Sequence, residues 1–269
     1  MFAVLIFLAG CGSSKPKNLA GDCKIQFEKL HAKFEKGRYA SAKEGYDEFV
    51  TSCAGTEFAE QAYFELGESH FALKEWMESE QEYQSFLREY PGSRRYGEIA
   101  RYQLAVSMAN QVEIPQRDQS KTMDAIKSFE TFQAEFPDSP RTDSARVQLD
   151  RLRHLLAERD TRIARLYTRM DEPLAAAIYY KHMLKEYGEQ IPRREIILKL
   201  AECYIELGQF VEAEYQLAQF DGVARDDPFR ERVRVAQAKL QKARDRYARE
   251  KKKEKMEAEK QAEEQSKAL

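Results

Sequence analysis

The sequence predicts an all-α fold: a solenoid of five helix hairpins closed by a C-terminal capping helix. Three observations carry that expectation. Apolar and small residues recur at intervals of three and four along most of the chain, the period of a helix with one buried face. Small residues stand twelve apart where the two helices of a hairpin must touch: Gly67 and Ser79, Ala164 and Ala176, Ala201 and Ala213. Leu30 and Ala42 hold the same places earlier, and Ala105 with Ala125 makes a pair twenty apart. Four and seven residues beyond each second small position comes a large side chain. These are Tyr46 and Phe49, Tyr83 and Phe86, Phe129 and Phe132, Tyr180 and Met183, Leu217 and Phe220. Composition agrees, since 269 residues with 33% charged, 12 Gly and 8 Pro suit helices better than sheets.

The clearest hairpin lies between Ala62 and Ser93. Phe64, Gly67 and Phe71, then Trp76, Ser79, Tyr83, Phe86 and Tyr90, form one stripe, and Pro91-Gly92 stops the second helix. A hairpin this short cannot bury its own stripe, so it needs copies of itself as neighbours. This small-then-small pattern with a late Pro resembles the tetratricopeptide repeat, which implies a right-handed α-solenoid. Five repeats fit at a spacing of about 37 residues, insertions aside.

Taken in order, residues 1–10 (MFAVLIFLAG) read as a signal peptide, too short to span a bilayer of about 30 Å. Leu8-Ala9-Gly10-Cys11 resembles the lipobox of bacterial lipoproteins, which implies cleavage before Cys11 and a lipid on that residue. In that family Gly12, in place of Asp, favours the outer membrane. Residues 11–21 then form the lipidated Cys and a polar tether. The solenoid occupies residues 22–228. In its first repeat Cys23 opens one helix and Cys53 ends the next, and those ends are adjacent in an antiparallel hairpin. An oxidising compartment allows a Cys23–Cys53 bridge; two free thiols are the alternative. Cys203 sits in an apolar stripe and reads as a small buried hydrophobe.

Repeat three carries an insertion, Asn110–Lys121, polar and broken by Pro115, which reads as a loop. From Asp143 to Met170 no breaker occurs, so one long helix is expected, with Val147, Leu152, Leu155, Leu156, Ile163, Leu166, Tyr167 and Met170 on one face. Pro173 suits the first turn of the next helix, and Gly208 the turn of repeat five. Residues 229–269 form a capping helix and a charged extension. Val233, Ala236, Leu240, Ala243 and Tyr247 can cover the open end of the solenoid. Beyond Arg249 the chain is a solvated helix or a disordered extension.

Charge is uneven. The net is −2, too small for a bulk argument toward nucleic acid. Residues 230–269, however, hold 14 Lys and Arg against 8 Asp and Glu, a net of +6, which leaves −8 for the rest. The basic tail touches acidic lipid or an acidic partner, or stays solvated. The sequence has no phosphate loop, no Ser elbow, no HExxH and no CxxC. His31, His70, His154 and His182 lack metal-ligand spacing. The many carboxylates read as solvated helix faces. No catalytic residue, metal or cofactor is expected.

Binding is the better expectation. In tetratricopeptide proteins the first helix of each repeat lines a concave groove. Carried over, the groove positions are Phe27, His31 and Phe34, then Phe64, Glu68 and Phe71, then Tyr102 and Val106. Such rings take the side chains of an extended peptide; the competing reading puts several of them in inter-repeat core. Repeats four and five offer Arg165, Arg169, Glu202 and Glu206 at matching places, a mixed-sign surface suited to a folded partner.

The arrangement as a whole resembles the BamD-type lipoproteins of the outer-membrane β-barrel assembly machinery. The closest stretch is Arg117 to Tyr187, beginning RDQSKTMDAIKSFETFQAEFPDSPRTDSA. The resemblance implies a non-enzymatic scaffold, lipid-anchored at the periplasmic face of the outer membrane. It implies as partners a BamA-like barrel protein with periplasmic domains at the C-terminal repeats, other assembly lipoproteins, and the C-termini of unfolded outer-membrane proteins in the N-terminal groove. A repeat lipoprotein for cell-wall coordination or pilus secretion is the alternative. The three further cysteines and the charged tail depart from the family pattern.

Overall fold

The computed structural model describes residues 19–112, 119–222 and 224–268. The signal segment and Cys11 lie outside them, as does most of the loop in repeat three. Two compact units divide the chain: residues 1–112 with 120–146, and residues 113–119 with 147–269.

The first unit holds α1 (Leu19–Glu35), α2 (Tyr39–Ser52), α3 (Ala59–Ala72), α4 (Trp76–Glu89), α5 (Gly97–Asn110) and α6 (Ser120–Glu135). Each helix packs on the next. Cys23, Phe27, Leu30, Ala42, Tyr46, Phe49 and Cys53 of the first hairpin form one cluster, and Ala62 and Leu66 of α3 close it. Phe64, Tyr83 and Phe86 form the next, closed by Tyr96 and by Ala100 of α5. These two hairpins thus need the first helix of their successors to keep their stripes dry, the one-dimensional logic of a repeat solenoid. A disulfide joins Cys23 to Cys53, with Cα atoms 5.8 Å apart, tying the start of α1 to the end of α2.

The small positions sit where helices meet. A Cβ on Gly67 would lie 2.9 Å from Cε1 of Tyr83. Ser79 Oγ donates to the Gly67 carbonyl at 3.4 Å and shares a 3.0 Å bond with Ser107 Oγ. The large residues after each second small position are buried in all five hairpins.

Four of the hairpin turns share one backbone device. Gly37, Lys74, Asp171 and Gly208, each two residues before a second helix, have φ of 69°, 61°, 60° and 71°. The residue after each donates its N–H back across the turn, as Arg38 to Lys33 (2.9 Å), Glu75 to His70 (3.0 Å), Glu172 to Tyr167 (3.0 Å) and Gln209 to Tyr204 (2.9 Å). These bonds satisfy orphan carbonyls at a helix end through a left-handed residue. Two of the four turns use a residue other than Gly, so the spacing survives where the usual sequence signal does not.

The second unit takes in most of α7 (Thr142–Arg169), then α8 (Pro173–Glu186), a 3-10 turn (Gly188–Gln190), α9 (Arg193–Glu206), α10 (Phe210–Ala218) and α11 (Arg230–Ala268). The buried residues of α7 there are Leu149, Leu152, Leu156, Ala157, Asp160 and Ala164, while Val147, Leu166 and Met170 are exposed. This corrects the single apolar face expected for that helix. Its large apolar residues cover more than one face, and the packed face includes a small residue and a carboxylate. Val233, Ala236 and Leu240 of α11 pack with Ile197, Leu198, Ala201, Leu217 and Phe220. Tyr247 is exposed, its ring edge-on to Phe210 at 5.8 Å. Bidentate Arg232–Glu195 bonds of 2.5 and 2.7 Å fasten α11 to α9. Beyond Arg249 the chain continues as a helix, exposed from Glu250 to Gln261. No described helix is long and apolar enough to cross a membrane.

Candidate partner-binding surfaces

In the first unit the predicted groove residues separate into two kinds. Phe27 and Phe64 are only 7% and 8% exposed. Phe27 stacks on Phe58 (5.2 Å) and His31 (5.5 Å), and Phe64 on Tyr96 (4.5 Å). These two rings are core, which corrects their assignment as open groove lining. Burial of apolar area between repeats outweighs display here, because each ring closes a cluster that would otherwise be wet. Phe34, Phe71 and Tyr102 are half-buried, set against Tyr39 (5.4 Å), Trp76 (5.3 Å) and Phe132 (5.4 Å) respectively.

A polar row runs through the same first helices. Glu65 is buried and accepts from His31 Nδ1, Tyr46 OH and Gln61 Nε2, so one carboxylate of α3 joins α1, α2 and its own helix. Glu68 accepts from Tyr83 OH at 2.6 Å and Gln103 Nε2 at 3.3 Å, joining α4 and α5. Burial pushes the Glu68 carboxyl above its ordinary range, against the lowering effect of those two bonds. A second buried carboxylate, Glu80, takes Lys121 Nζ (2.9 and 3.0 Å) and Gln111 Nε2 (2.6 Å). Beside it opens a cavity of about 450 Å³ between α4, α5 and α6, floored by Leu87, Leu104, Met108 and Phe132.

The second unit repeats the device. Asp160 is fully buried and accepts from Tyr187 OH (2.6 Å), His182 Nδ1 (3.1 Å) and Arg159 (2.8 Å). Burial pushes the Tyr187 hydroxyl above its ordinary value, reinforced by its bond to Asp160. Burial also pushes the Cys203 thiol up to about 12, so it stays protonated and unreactive at neutral pH. Of the expected partner surface, Arg165, Arg169 and Glu206 are exposed. Glu202 is half-buried and accepts from Lys199 at 2.7 Å. Burial raises the Glu206 carboxyl, with Asp171 and Glu202 adding repulsion.

The sequence reading missed two features. The sequence places Glu65, Glu80 and Asp160 with the solvated faces, because a carboxylate clamp has no periodicity of its own. The second is apolar and exposed. Leu174 and Ile178 of α8 occupy the same repeat positions as Val211 and Tyr215 of α10, and the last two are 72% and 70% exposed. Repetition of the pair in successive second helices was the available signal. Among the described residues no group of three or more His, Cys, Asp or Glu could hold a metal ion.

Comparison with known proteins bears on these surfaces. A family model described as "Outer membrane lipoprotein" (YfiO) matches residues 21–219. A Xylella fastidiosa protein named outer membrane protein assembly factor BamD is 21% identical over 241 residues, covering 85% of this chain and 82% of its own. Proteins of the same name from Rickettsia prowazekii (23% over 215 residues, 80% and 85% covered) and Caulobacter vibrioides (22% over 211 residues, 77% and 69%) are also similar. With most of its length matched by the family model, the chain belongs to the YfiO family of outer membrane lipoproteins.

Proposed function

We propose that this chain is a non-enzymatic, lipid-anchored scaffold for the assembly of β-barrel proteins into the outer membrane. The observation that carries the reading is the family match over residues 21–219, together with relatives from several bacteria named as assembly factors. The geometry supports a scaffold, since the buried carboxylates Glu65, Glu80 and Asp160 all hold helices together. In this reading Cys11 bears the lipid at the periplasmic face. The half-buried row His31, Phe34, Glu68, Phe71 and Tyr102 takes C-terminal segments of unfolded outer-membrane proteins, with Phe27 and Phe64 supporting it from beneath. The second unit docks the periplasmic part of a BamA-like barrel protein through Arg165, Arg169, Glu202 and Glu206. The exposed Leu174, Ile178, Val211 and Tyr215 add the apolar area that a stable interface needs.

Depletion of the protein in its own host tests the reading. Folded barrel proteins migrate differently from unfolded ones on unheated gels. The scaffold reading expects the folded fraction to fall as the protein is depleted. Barrels that fold normally while cell-wall or pilus components are lost would move the function to the alternative.

A further inference from the structure

Helix α11 has two distinct faces, and among the described residues one of them packs into the core of the second unit. Val233, Ala236 and Leu240 pack against α9 and α10. Lys239, Lys242, Arg246, Arg249 and Lys253 follow one another at intervals of three, four, three and four, so they line a single stripe. At 3.6 residues per turn that stripe lies roughly 100–160° round the helix from the packed residues, and it extends about 21 Å. Four of its cations surround one shallow depression with Ala243. Between Lys239 and Lys253 the stripe itself carries no acid. The flanking acids engage it loosely, with Glu250 4.0 Å from Arg246 and Glu257 3.8 Å from Lys253. Val235 and Met256, both exposed, lie on the same side.

We propose that this stripe lies on an anionic phospholipid surface, giving the chain a second membrane contact independent of any lipid anchor and of the assembly reading. Charge complementarity calls for an anionic occupant. A folded acidic partner has to present a negative patch matched to the outline of the stripe, whereas an anionic headgroup layer supplies charge along its whole straight length. A basic helix face flanked by exposed apolar residues suits the headgroup region of a bilayer. Membership of an outer membrane lipoprotein family keeps such a surface within reach.

Vesicle flotation of the full chain tests the proposal. The probes are phosphatidylcholine vesicles and the same vesicles with about one-third phosphatidylglycerol. The wild type is expected to prefer the anionic vesicles, and to lose that preference as salt shortens the Debye length. Each cation at the surface contributes about fivefold, so Lys242→Gln with Arg246→Gln should lower partition to anionic vesicles about 25-fold. Partition to neutral vesicles should not change. Lys251→Gln with Lys255→Gln removes the same charge from other faces of the helix and should cost less than about threefold. All four side chains are exposed, and helix content by circular dichroism should match the wild type in both variants. Equal losses from the two pairs would overturn the proposal in favour of bulk charge. Absence of any anionic preference would also overturn it. So would lipid-free self-association, seen by sedimentation velocity, that the stripe substitutions abolish, because the occupant would then be a second copy of the chain.

Discussion

Replacing Phe64 by Ala separates a core ring from a ligand-binding one. Phe64 is 8% exposed, stacks on Tyr96 at 4.5 Å and meets Phe86 edge-on at 5.9 Å. Truncation removes the transfer energy of the ring and leaves a cavity among Tyr83, Phe86 and Tyr96, which costs about 3–5 kcal/mol. Part of that loss is the ring pairing itself, about 0.5–1.5 kcal/mol beyond the buried area. Trp76 is the only tryptophan and sits in the same unit, 5.3 Å from Phe71. Its fluorescence therefore reports unfolding of the first unit during a urea titration. With an m value of about 1–3 kcal/mol/M the midpoint should fall by about 1 M or more. Phe71→Ala, at a half-buried ring, should shift it by less than half as much. The reasoning fails if Phe64→Ala leaves the midpoint where it was while affinity for a peptide ending in an aromatic residue drops. Phe64 would then be a groove anchor and the packing argument wrong.

Three further outcomes follow from the same contacts. Reducing the Cys23–Cys53 bridge, which closes a 30-residue separation, should destabilise the first unit by about 3–4 kcal/mol; an identical urea midpoint with and without reductant would contradict this. Gly67→Ala gains about 1 kcal/mol of helix propensity but drives a methyl to 2.9 Å from Tyr83. Overpacking of about 1–3 kcal/mol should win, and a raised melting temperature would refute the close helix contact. Burial raises the Glu68 carboxyl, so between the unfolded value near 4.3 and the raised one the folded state holds more protons than the unfolded state. Its contribution to stability therefore falls as pH rises through that window. Glu68→Gln should remove the fall, and a titration of urea midpoint against pH unchanged by the substitution would show the carboxyl to be unperturbed.

The fold was legible because close helix contacts leave a spacing. Gly67 and Ser79, or Ala201 and Ala213, have to be small where backbones approach, and the rings four and seven residues later have to face the same way. Tertiary clamps leave no such mark. Nothing local in Glu65 says that His31, 34 residues away, and Tyr46 will donate to it. Nothing near Phe64 says that Tyr96 will cover it. Phe27 and Phe64 fall in core rather than on the open groove for the same reason: position in the repeat identifies the helix face, while burial of a particular ring depends on which residue the next connection sets against it. The surface of the second unit was half legible. Its charges were visible by repeat register, whereas Leu174, Ile178, Val211 and Tyr215 look in sequence like ordinary members of an apolar stripe.

The most direct test of the scaffold account is affinity copurification of the tagged full-length protein from its own cells in mild detergent, read by mass spectrometry. The account expects near-stoichiometric recovery of a large outer-membrane barrel protein with soluble periplasmic domains. Tyr215→Ser with Leu174→Ser should leave stability within about 0.5 kcal/mol, as at exposed sites generally, and should sharply reduce that recovery. Recovery of cell-wall or pilus components without such a barrel protein would contradict the account.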